Sequence, residues 1–225
     1  MGVEVAEKMP RPGVLKIHLP FERVPYSDNA KYIYVARNPY DVCVSFYYHM
    51  KGFTPKTAKD FSFARFHELF VSDKLSWGPY FAHLHAWYSQ RDRPNVLFFT
   101  YEQARKDNAL WALKVADFLG QKYGNQLRKD QALFSKILEV CSLENMRRVF
   151  DSSTRGMLRD LLNLPPEKAL KTLDVYRDKP VIVETHESEG FIRKGKVGDW
   201  KTHFTVDQIE KTKAWILKIP KDQTL

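Results

Sequence analysis

A lysine and a histidine near the start of the chain have the spacing of a small proton-transfer site. Lys16 and His18 lie two residues apart in VLKIH, a pattern that predicts a short strand over residues 14–18. Because side chains alternate along a strand, both would point to the same side. A lysine ammonium there stabilises developing negative charge, and a neutral imidazole accepts a proton near pH 7. The alternative is an edge strand that exposes two polar side chains to water.

An arginine and a serine further along have the chemistry of an anion site. Arg37 directly follows the apolar run YIYVA, and Ser45 lies about two turns into the helix predicted next. Arginine forms bidentate hydrogen bonds with a phosphate, and a serine hydroxyl adds another. The pair indicates a phosphate site, unless Arg37 is paired with a surface carboxylate and Ser45 is only tolerated in the helix.

A third candidate group occurs late in the chain, in FIRKGKVGDWK over residues 191–201. Arg193 and Lys194 precede Gly195, where the absence of a Cβ lets the backbone approach an anion closely. The segment predicts a grip on a phosphate. A solvated basic turn is the alternative interpretation.

These groups need a scaffold, and the hydrophobic pattern indicates an α/β one. Three strands are predicted, over residues 14–18, 31–36 and 95–100. The second is apolar enough to be covered on both faces, and Asn38, Pro39 and Asp41 after it are typical of a helix N-terminus. Amphipathic helices are predicted over residues 58–71, 77–88, 101–119, 131–140 and 206–219. Such alternation predicts a parallel sheet with helices on both faces and a ligand at the carboxyl ends of the strands.

The composition favours one globular domain, residues 1–225, because 44% of the residues are hydrophobic. A net charge of +9 favours an acidic partner, such as nucleic acid, an anionic membrane or a phosphorylated small molecule. Cys43 and Cys141 lie in apolar helical patterns without metal-ligand spacing, which predicts buried free thiols. No apolar run approaches the roughly 20 residues of a membrane span. We therefore expect a soluble, cytoplasmic protein.

The same residues resemble those of the cytosolic sulfotransferases, which move a sulfuryl group from 3′-phosphoadenosine 5′-phosphosulfate (PAPS) to hydroxyls or amines. KIHLP at residues 16–20 resembles the family's K-T-H-L-P, and YVARNPYDVCVS at 34–45 resembles its arginine-and-serine signature. Residues 76–87 resemble its S-W…H-V-x-x-W segment, 101–102 its Y-E, and 193–201 its R-K-G-x-x-G-D-W-K. The matches follow the family's order over most of the chain.

The resemblance implies a P-loop-NTPase-like, three-layer α/β domain that uses PAPS as cosubstrate and needs no metal. His18 is then the base on the acceptor, and Lys16 stabilises the group in transfer. The implied contacts of the 3′-phosphate are Arg37, Ser45, Arg193, Lys194 and Gly195. The implied neighbours of the adenine are Tyr101, Cys141 and Leu143.

The resemblance also implies the partners of the protein. The acceptor is a small hydroxyl or amine compound, such as a phenol or a steroid, and neither nucleic acid nor a membrane is expected. Candidate walls for an apolar acceptor, with core packing as the alternative, are Phe21, Phe46, Tyr48 and Phe53. A homodimer is implied by a match to the family's K-x-x-x-T-V-x-x-x-E motif at Lys201, Thr205, Val206 and Glu210.

The chain departs from the family pattern in two places. The family opens with a strand, a Y-P-K-S-G-T-T-W loop that holds the 5′-phosphosulfate, and a helix, and this sequence contains no such stretch. Cys141-Ser142-Leu143 also stands where the family has T-S-F, which predicts weaker adenine affinity. The alternative function is therefore a catalytically impaired protein that binds a 3′-phosphoadenosine nucleotide, or dimerises, without turnover. A nucleic-acid-binding module is a weaker third hypothesis, because no recognition-helix pattern occurs.

Overall fold

The chain folds as an α/β protein. The computed structural model describes residues 9–52, 61–150 and 192–219. Its strands are β1 (Tyr32–Ala36) and β2 (Val96–Thr100). Its helices are α1 (Pro39–Lys51), α2 (Phe63–Val71), α3 (Tyr80–Tyr88), α4 (Tyr101–Lys106), α5 (Asn108–Leu119), α6 (Gln121–Lys129), α7 (Gln131–Val140), α8 (Leu143–Phe150) and α9 (Val206–Leu217), with 3-10 turns at Phe21–Arg23 and Asp199–Thr202.

β1 and β2 pair in parallel as a two-stranded sheet within the described ranges. On one face, Tyr34 stacks on Phe98 of the neighbouring strand and on Trp87 of α3. On the other face, Phe99 stacks on Trp111 of α5, with ring centroids 4.4 Å apart. Helices thus pack on both faces of the sheet, and the predicted α/β class with a parallel sheet is confirmed.

The prediction that β1 is covered on both faces is wrong for the described residues. Tyr34 is half-buried and Ala36 is buried, whereas Ile33 and Val35 are 43% and 49% exposed. Helix α5 covers that face over β2 through Phe99, and over β1 the two aliphatic side chains line an open cleft. One face of the apolar strand β1 is therefore packed in the interior, and its other face forms part of the cleft wall.

The first predicted strand is absent, because residues 14–18 form an irregular segment. A strand needs a hydrogen-bonded neighbour, and the alternation of one segment does not supply it. Helix α3 holds this segment instead, since the indole N–H of Trp87 donates to the carbonyl of Leu19 at 3.1 Å. The same-side argument for Lys16 and His18 fails with the strand, yet both side chains line the same cleft.

Helix α1 begins as predicted. Asn38 is its N-cap, with a side-chain oxygen that accepts the N–H of Asp41 at 2.9 Å, and Pro39 occupies its first position. The helix predicted over residues 101–119 is divided in two, because the side chain of Asp107 accepts the N–H of Leu110 and caps a new start. The other predicted helices occur as α2, α3, α7 and α9, and residues 58–60 lie outside the described ranges.

The main apolar core joins α1, α2 and the C-terminal segment. Its buried members are Cys43, Val44, Phe66, Phe70, Phe204 and Trp215. Cys43 is a buried free thiol, as predicted, and burial raises its pKa. Cys141 is exposed, which corrects the prediction, because α7 ends at Val140 and leaves Cys141 in the turn before α8.

Candidate functional site

One cleft of about 1960 Å³ runs along the exposed side of the sheet. Ligand pockets for small molecules usually measure about 300–1,000 Å³, so this cleft has room for a nucleotide and a second compound. All ten site residues predicted from the sequence line it: Lys16, His18, Arg37, Ser45, Tyr101, Cys141, Leu143, Arg193, Lys194 and Gly195. The structure thus brings together residues separated by almost 180 positions in the chain.

Arg37 lies where β1 ends and α1 begins. Its guanidinium stacks over the ring of Tyr101 at 4.5 Å, and Nη2 donates to the carbonyl of Lys196 at 3.1 Å. The same nitrogen is 3.8 Å from the carboxylate of Asp41. Nε is buried without a hydrogen-bond partner among the described residues. A buried guanidinium nitrogen of this kind has a donor to offer an anion.

The position of Arg37 depends on a link between the two strand ends. The backbone N–H of Asn38 and its side-chain amide both donate to Glu102, at 3.0 and 2.6 Å. Tyr80 of α3 donates its hydroxyl to the carbonyl of Arg37 at 2.5 Å. Glu102 therefore couples the start of α4 to the start of α1 and sets Tyr101 beside Arg37. In the sequence, Glu102 is marked only as the second residue of the Y-E match at residues 101–102.

Asp41 attaches the late basic segment to the start of α1. Its buried carboxylate accepts the backbone N–H groups of Gly198 at 2.7 Å and Trp200 at 3.1 Å. A buried carboxylate without such donors would carry a large desolvation cost. Asp41 was predicted only to favour the helix N-terminus. Its second role was missed, because the residues it holds are more than 150 positions away.

Asp199 organises the cations of the basic segment. It pairs with Arg193 at 2.6 Å, Lys194 at 3.4 Å and His203 at 3.2 Å. Burial of this carboxyl acts to raise its pKa, but the hydrogen bond and charge of Arg193, joined by Lys194, outweigh it and hold the pKa below its ordinary value. The guanidinium of Arg193 also lies over the ring of Tyr48 at 4.8 Å. One buried carboxylate thus orients two cations at the cleft.

The role of Asp199 leads to a stability prediction. Asp199→Asn removes the buried carboxylate that pairs with Arg193 at 2.6 Å and should lower the free energy of unfolding at pH 7 by about 3 kcal/mol. Because the folded pKa of Asp199 is depressed, this stabilisation is present above the unfolded pKa and is lost as pH falls through the folded one. Urea unfolding at pH 7 and pH 3 measures both effects.

A matched surface variant is the control for this measurement. Asp92→Asn removes a carboxylate that is 84% exposed and only 3.6 Å from Arg91, and it should change stability by less than about 0.5 kcal/mol. Equal unfolding free energies for Asp199→Asn and wild type at pH 7 would contradict the assignment.

The structure gives a steric reason for a glycine at position 195, in addition to the expected close approach of its backbone to an anion. Its φ is +62°, and a Cβ there would lie 2.7 Å from Cδ1 of Leu143 at the start of α8. The left-handed backbone favours glycine at this position, and a side chain there would also have to displace the end of Leu143. Arg147 of α8 reinforces the contact, since its Nε donates to the carbonyl of Arg193 at 3.1 Å. Arg147 was not found from the sequence.

Lys16 and His18 form the second chemical group of the cleft. Burial and then the charge of Lys16 lower the pKa of His18 from its ordinary value of 6.5. The pKa of His49 on α1 is also lowered. Burial is the largest cause, followed by the charges of Lys16 and then His18. His18 is therefore an imidazole kept neutral at pH 7. His49 is a second such imidazole, and no sequence motif indicated it.

Of the candidate acceptor walls, Phe46 and Tyr48 line the cleft. Phe21 does not, because its ring packs edge-on against Trp87 at 5.5 Å. Phe53 lies outside the described residues. Helix α1 therefore contributes both of the predicted acceptor walls that the structure places at the cleft.

Residues 9–52, 61–150 and 192–219 contain no group of three or more His, Cys, Asp or Glu side chains arranged to hold a metal ion. None of their helices combines the length and the apolarity needed to cross a bilayer.

Comparison with known proteins gives the relationship directly. The sulfotransferase domain family matches residues 1–223. Human sulfotransferase 1C2 is 32% identical over 213 residues, which cover 93% of this chain and 62% of the human protein. Bovine sulfotransferase 1E1 has the same identity and coverage, and rabbit amine sulfotransferase is 30% identical over 208 residues, covering 91% and 60%. The chain thus spans about 60% of the length of these relatives.

Solved structures agree in fold. Retinol dehydratase in a complex with retinol and PAP superposes with a TM-score of 0.71 at 27% identity, over 98% of this chain and 57% of that one. Mouse sulfotransferase SULT7A1 complexed with PAP gives a TM-score of 0.67 over 96% and 68%, and at 24% identity it supports the fold alone. The sequence match and the shared fold lead to one conclusion, that this chain belongs to the sulfotransferase domain family.

Proposed function

We propose that this chain acts as a PAPS-dependent sulfotransferase on a hydroxyl or amine of a small acceptor, such as a phenol or a steroid. The observation that carries the proposal is the meeting of Arg37 and the 193–195 turn with Lys16 and His18 in one cleft. Relatives at about 30% identity are named sulfotransferases, and solved neighbours hold PAP. The proposal places the protein in the cytoplasm as a single domain.

The phosphate end of the cleft is proposed to hold the 3′-phosphate of the nucleotide. Arg37 offers its buried Nε, and Lys194 is 44% exposed while it remains near Asp199. The residues proposed as 3′-phosphate contacts are Arg37, Ser45, Arg193, Lys194 and Gly195. Tyr101, Cys141 and Leu143 are proposed as neighbours of the adenine. A 3′-phosphate distinguishes PAPS from ordinary nucleotides, so this end of the cleft sets cofactor specificity.

A nucleotide titration tests the phosphate site by itself. Calorimetry with 3′,5′-ADP and with 5′-ADP should give an affinity at least roughly tenfold higher for 3′,5′-ADP, the value of one additional charge-assisted phosphate contact. Equal affinities would contradict the assignment.

In the proposed reaction the acceptor oxygen attacks sulfur as the bond from sulfur to the phosphate oxygen breaks. His18 takes the proton of the acceptor hydroxyl, and the departing nucleotide keeps the bonding electron pair. Lys16 stabilises the negative charge that develops during transfer. This chemistry needs a neutral imidazole, and the lowered pKa of His18 supplies one.

The pH dependence of the rate follows from these assignments. The rate should rise with pH to a plateau, with the midpoint of the rise below 6.5, because His18 must lose its proton first. Lys16→Met removes one cause of the lowered pKa, so the midpoint should move upward while the plateau falls roughly tenfold or more. Profiles of kcat/KM between pH 5 and 8 measure both changes.

A surface lysine provides the control for the profile. Lys129→Met on α6 changes an exposed lysine that does not line the cleft, and it should leave the curve unchanged. A Lys16→Met profile that superposes on the wild-type curve would contradict the role of Lys16.

A homodimer through Lys201, Thr205, Val206 and Glu210 is part of the proposal. Val206 at the start of α9 is 77% exposed, and Lys201 and Glu210 of the same motif are exposed side chains of opposite charge, with Glu210 paired to Lys213 at 2.7 Å. A two-fold axis at such a patch would bring unlike charges together around an apolar centre.

Sedimentation velocity tests the dimer. Val206→Asp should raise the dimer dissociation constant at least tenfold, because it places a charge in an apolar contact. Leu217→Asp, at the other end of α9 on an 83% exposed side chain, is the control and should leave the constant unchanged. A wild-type chain that sediments as a monomer at micromolar concentration would overturn the proposal.

A further inference from the structure

Trp77 adopts a backbone conformation that is unusual for a bulky side chain. Its φ is +76°, in the left-handed region, and Gly78 after it has a φ of +81°. The side chain is 50% exposed, so burial in the core does not compensate for this conformation. A strained residue at the edge of a cleft calls for a functional explanation based on what the side chain contacts.

The indole of Trp77 contacts the imidazole of His18. Their ring centroids are 4.8 Å apart and their planes differ by 17°, which is a stacked arrangement. The indole also stacks on Phe46 of α1 at 5.0 Å and 20°. Phe46 in turn packs edge-on against Phe66 of the main core at 5.4 Å. A continuous series of rings thus connects His18 to the core.

His18 needs such support because it lies on an irregular segment. The backbone there is held by α3, where Trp87 donates to the carbonyl of Leu19. His83 of α3 pairs with the hydroxyl of Tyr34 at 3.0 Å, and the backbone of His18 and Leu19 acts on its pKa. For the imidazole itself, the described residues provide ring stacking and no hydrogen bond. Stacking on Trp77 is therefore the contact among the described residues that bears on the plane of the imidazole.

We propose that Trp77 is a positioning residue for His18, whose imidazole plane it fixes at the cleft and one of whose ring faces it shields from water. The left-handed backbone at residues 77–78 is what brings the indole onto the imidazole. The catalytic consequence rests on the proposed function, whereas the stacking can be tested without turnover.

Two substitutions separate the ring from the backbone. Trp77→Gly removes the indole and at the same time accepts the positive φ without strain, so the fold should be kept. Trp77→Phe keeps an aromatic ring for stacking. With PAPS and a phenol, Trp77→Gly should lower kcat roughly tenfold to a hundredfold with the KM for PAPS unchanged, and Trp77→Phe should stay within about threefold of wild type.

Histidine NMR of the full chain provides the readout that is independent of activity. The ring protons of His18, assigned with His18→Gln, should be shifted upfield by the indole in the wild type, less so in Trp77→Phe and not at all in Trp77→Gly. The His18 pKa should rise in Trp77→Gly as the ring becomes hydrated. Unshifted His18 resonances in the wild type, or an equal kcat in Trp77→Gly, would overturn the proposal. If neither the wild type nor any variant forms product but the chemical shifts follow this order, the positioning role of Trp77 stands and the proposed sulfotransferase activity fails.

Discussion

Replacing His18 by alanine is expected to lower the rate of sulfuryl transfer by about a hundredfold to ten-thousandfold, the contribution of a positioned general base. The imidazole lines the cleft and its pKa lies below 6.5, so it is ready to accept a proton at pH 7. The measurement is the initial rate of sulfated phenol formation with PAPS and phenol both saturating.

Binding separates a loss of chemistry from a loss of structure in this variant. His18→Ala should bind 3′,5′-ADP with the wild-type dissociation constant, because the proposed phosphate contacts lie on other segments. His85→Ala, which changes a histidine of α3 outside the cleft lining, should keep the wild-type rate. A His18→Ala rate above a tenth of wild type would contradict the assignment of the base.

Arg37→Ala is expected to weaken 3′,5′-ADP binding by roughly ten- to a hundredfold, while 5′-ADP binding changes by less than threefold. A charge-assisted hydrogen bond contributes about 1.5–3 kcal/mol, and Arg37 has a buried nitrogen available for one. The difference between the two nucleotides reports the 3′-phosphate alone. Isothermal titration calorimetry at fixed ionic strength measures all four constants.

The control for this variant removes a positive charge that lies outside the cleft. Arg65→Ala removes an exposed arginine of α2 that pairs with Glu68 at 3.1 Å, and it should alter neither affinity. Because Arg37 also stacks on Tyr101, circular dichroism must show that Arg37→Ala keeps its fold. An equal loss for 3′,5′-ADP and 5′-ADP would indicate a general phosphate contact and contradict the specific assignment.

The parts of the fold that were predictable depend on local signals. Asn38, Pro39 and Asp41 occupy the first turn of α1, and each favours its position through a hydrogen bond or dihedral angle within four residues. The strands β1 and β2 were likewise found from short apolar runs. Motif order then selected ten residues that the structure brings to one cleft.

The parts that failed depend on contacts between distant residues. Residues 14–18 have the alternation of a strand but no described neighbour to pair with, so they are irregular. Asp41 reaches Gly198 across 157 positions, and no local pattern announces that hydrogen bond. Cys141 fits the apolar pattern of α7, but the helix itself ends at Val140 and Cys141 is exposed in the turn that follows. Sequence periodicity describes a segment, whereas burial depends on what packs against it.

Transfer of labelled sulfate is the most direct test of the central claim. Purified chain incubated with [35S]PAPS and a panel of phenols, steroids and amines should yield a labelled acceptor, and the yield should fall with His18→Ala. Binding of 3′,5′-ADP without any labelled product would contradict the proposed activity and leave a nucleotide-binding or dimerising protein. Tighter binding to oligonucleotides than to 3′,5′-ADP would contradict the assignment of the cleft as well.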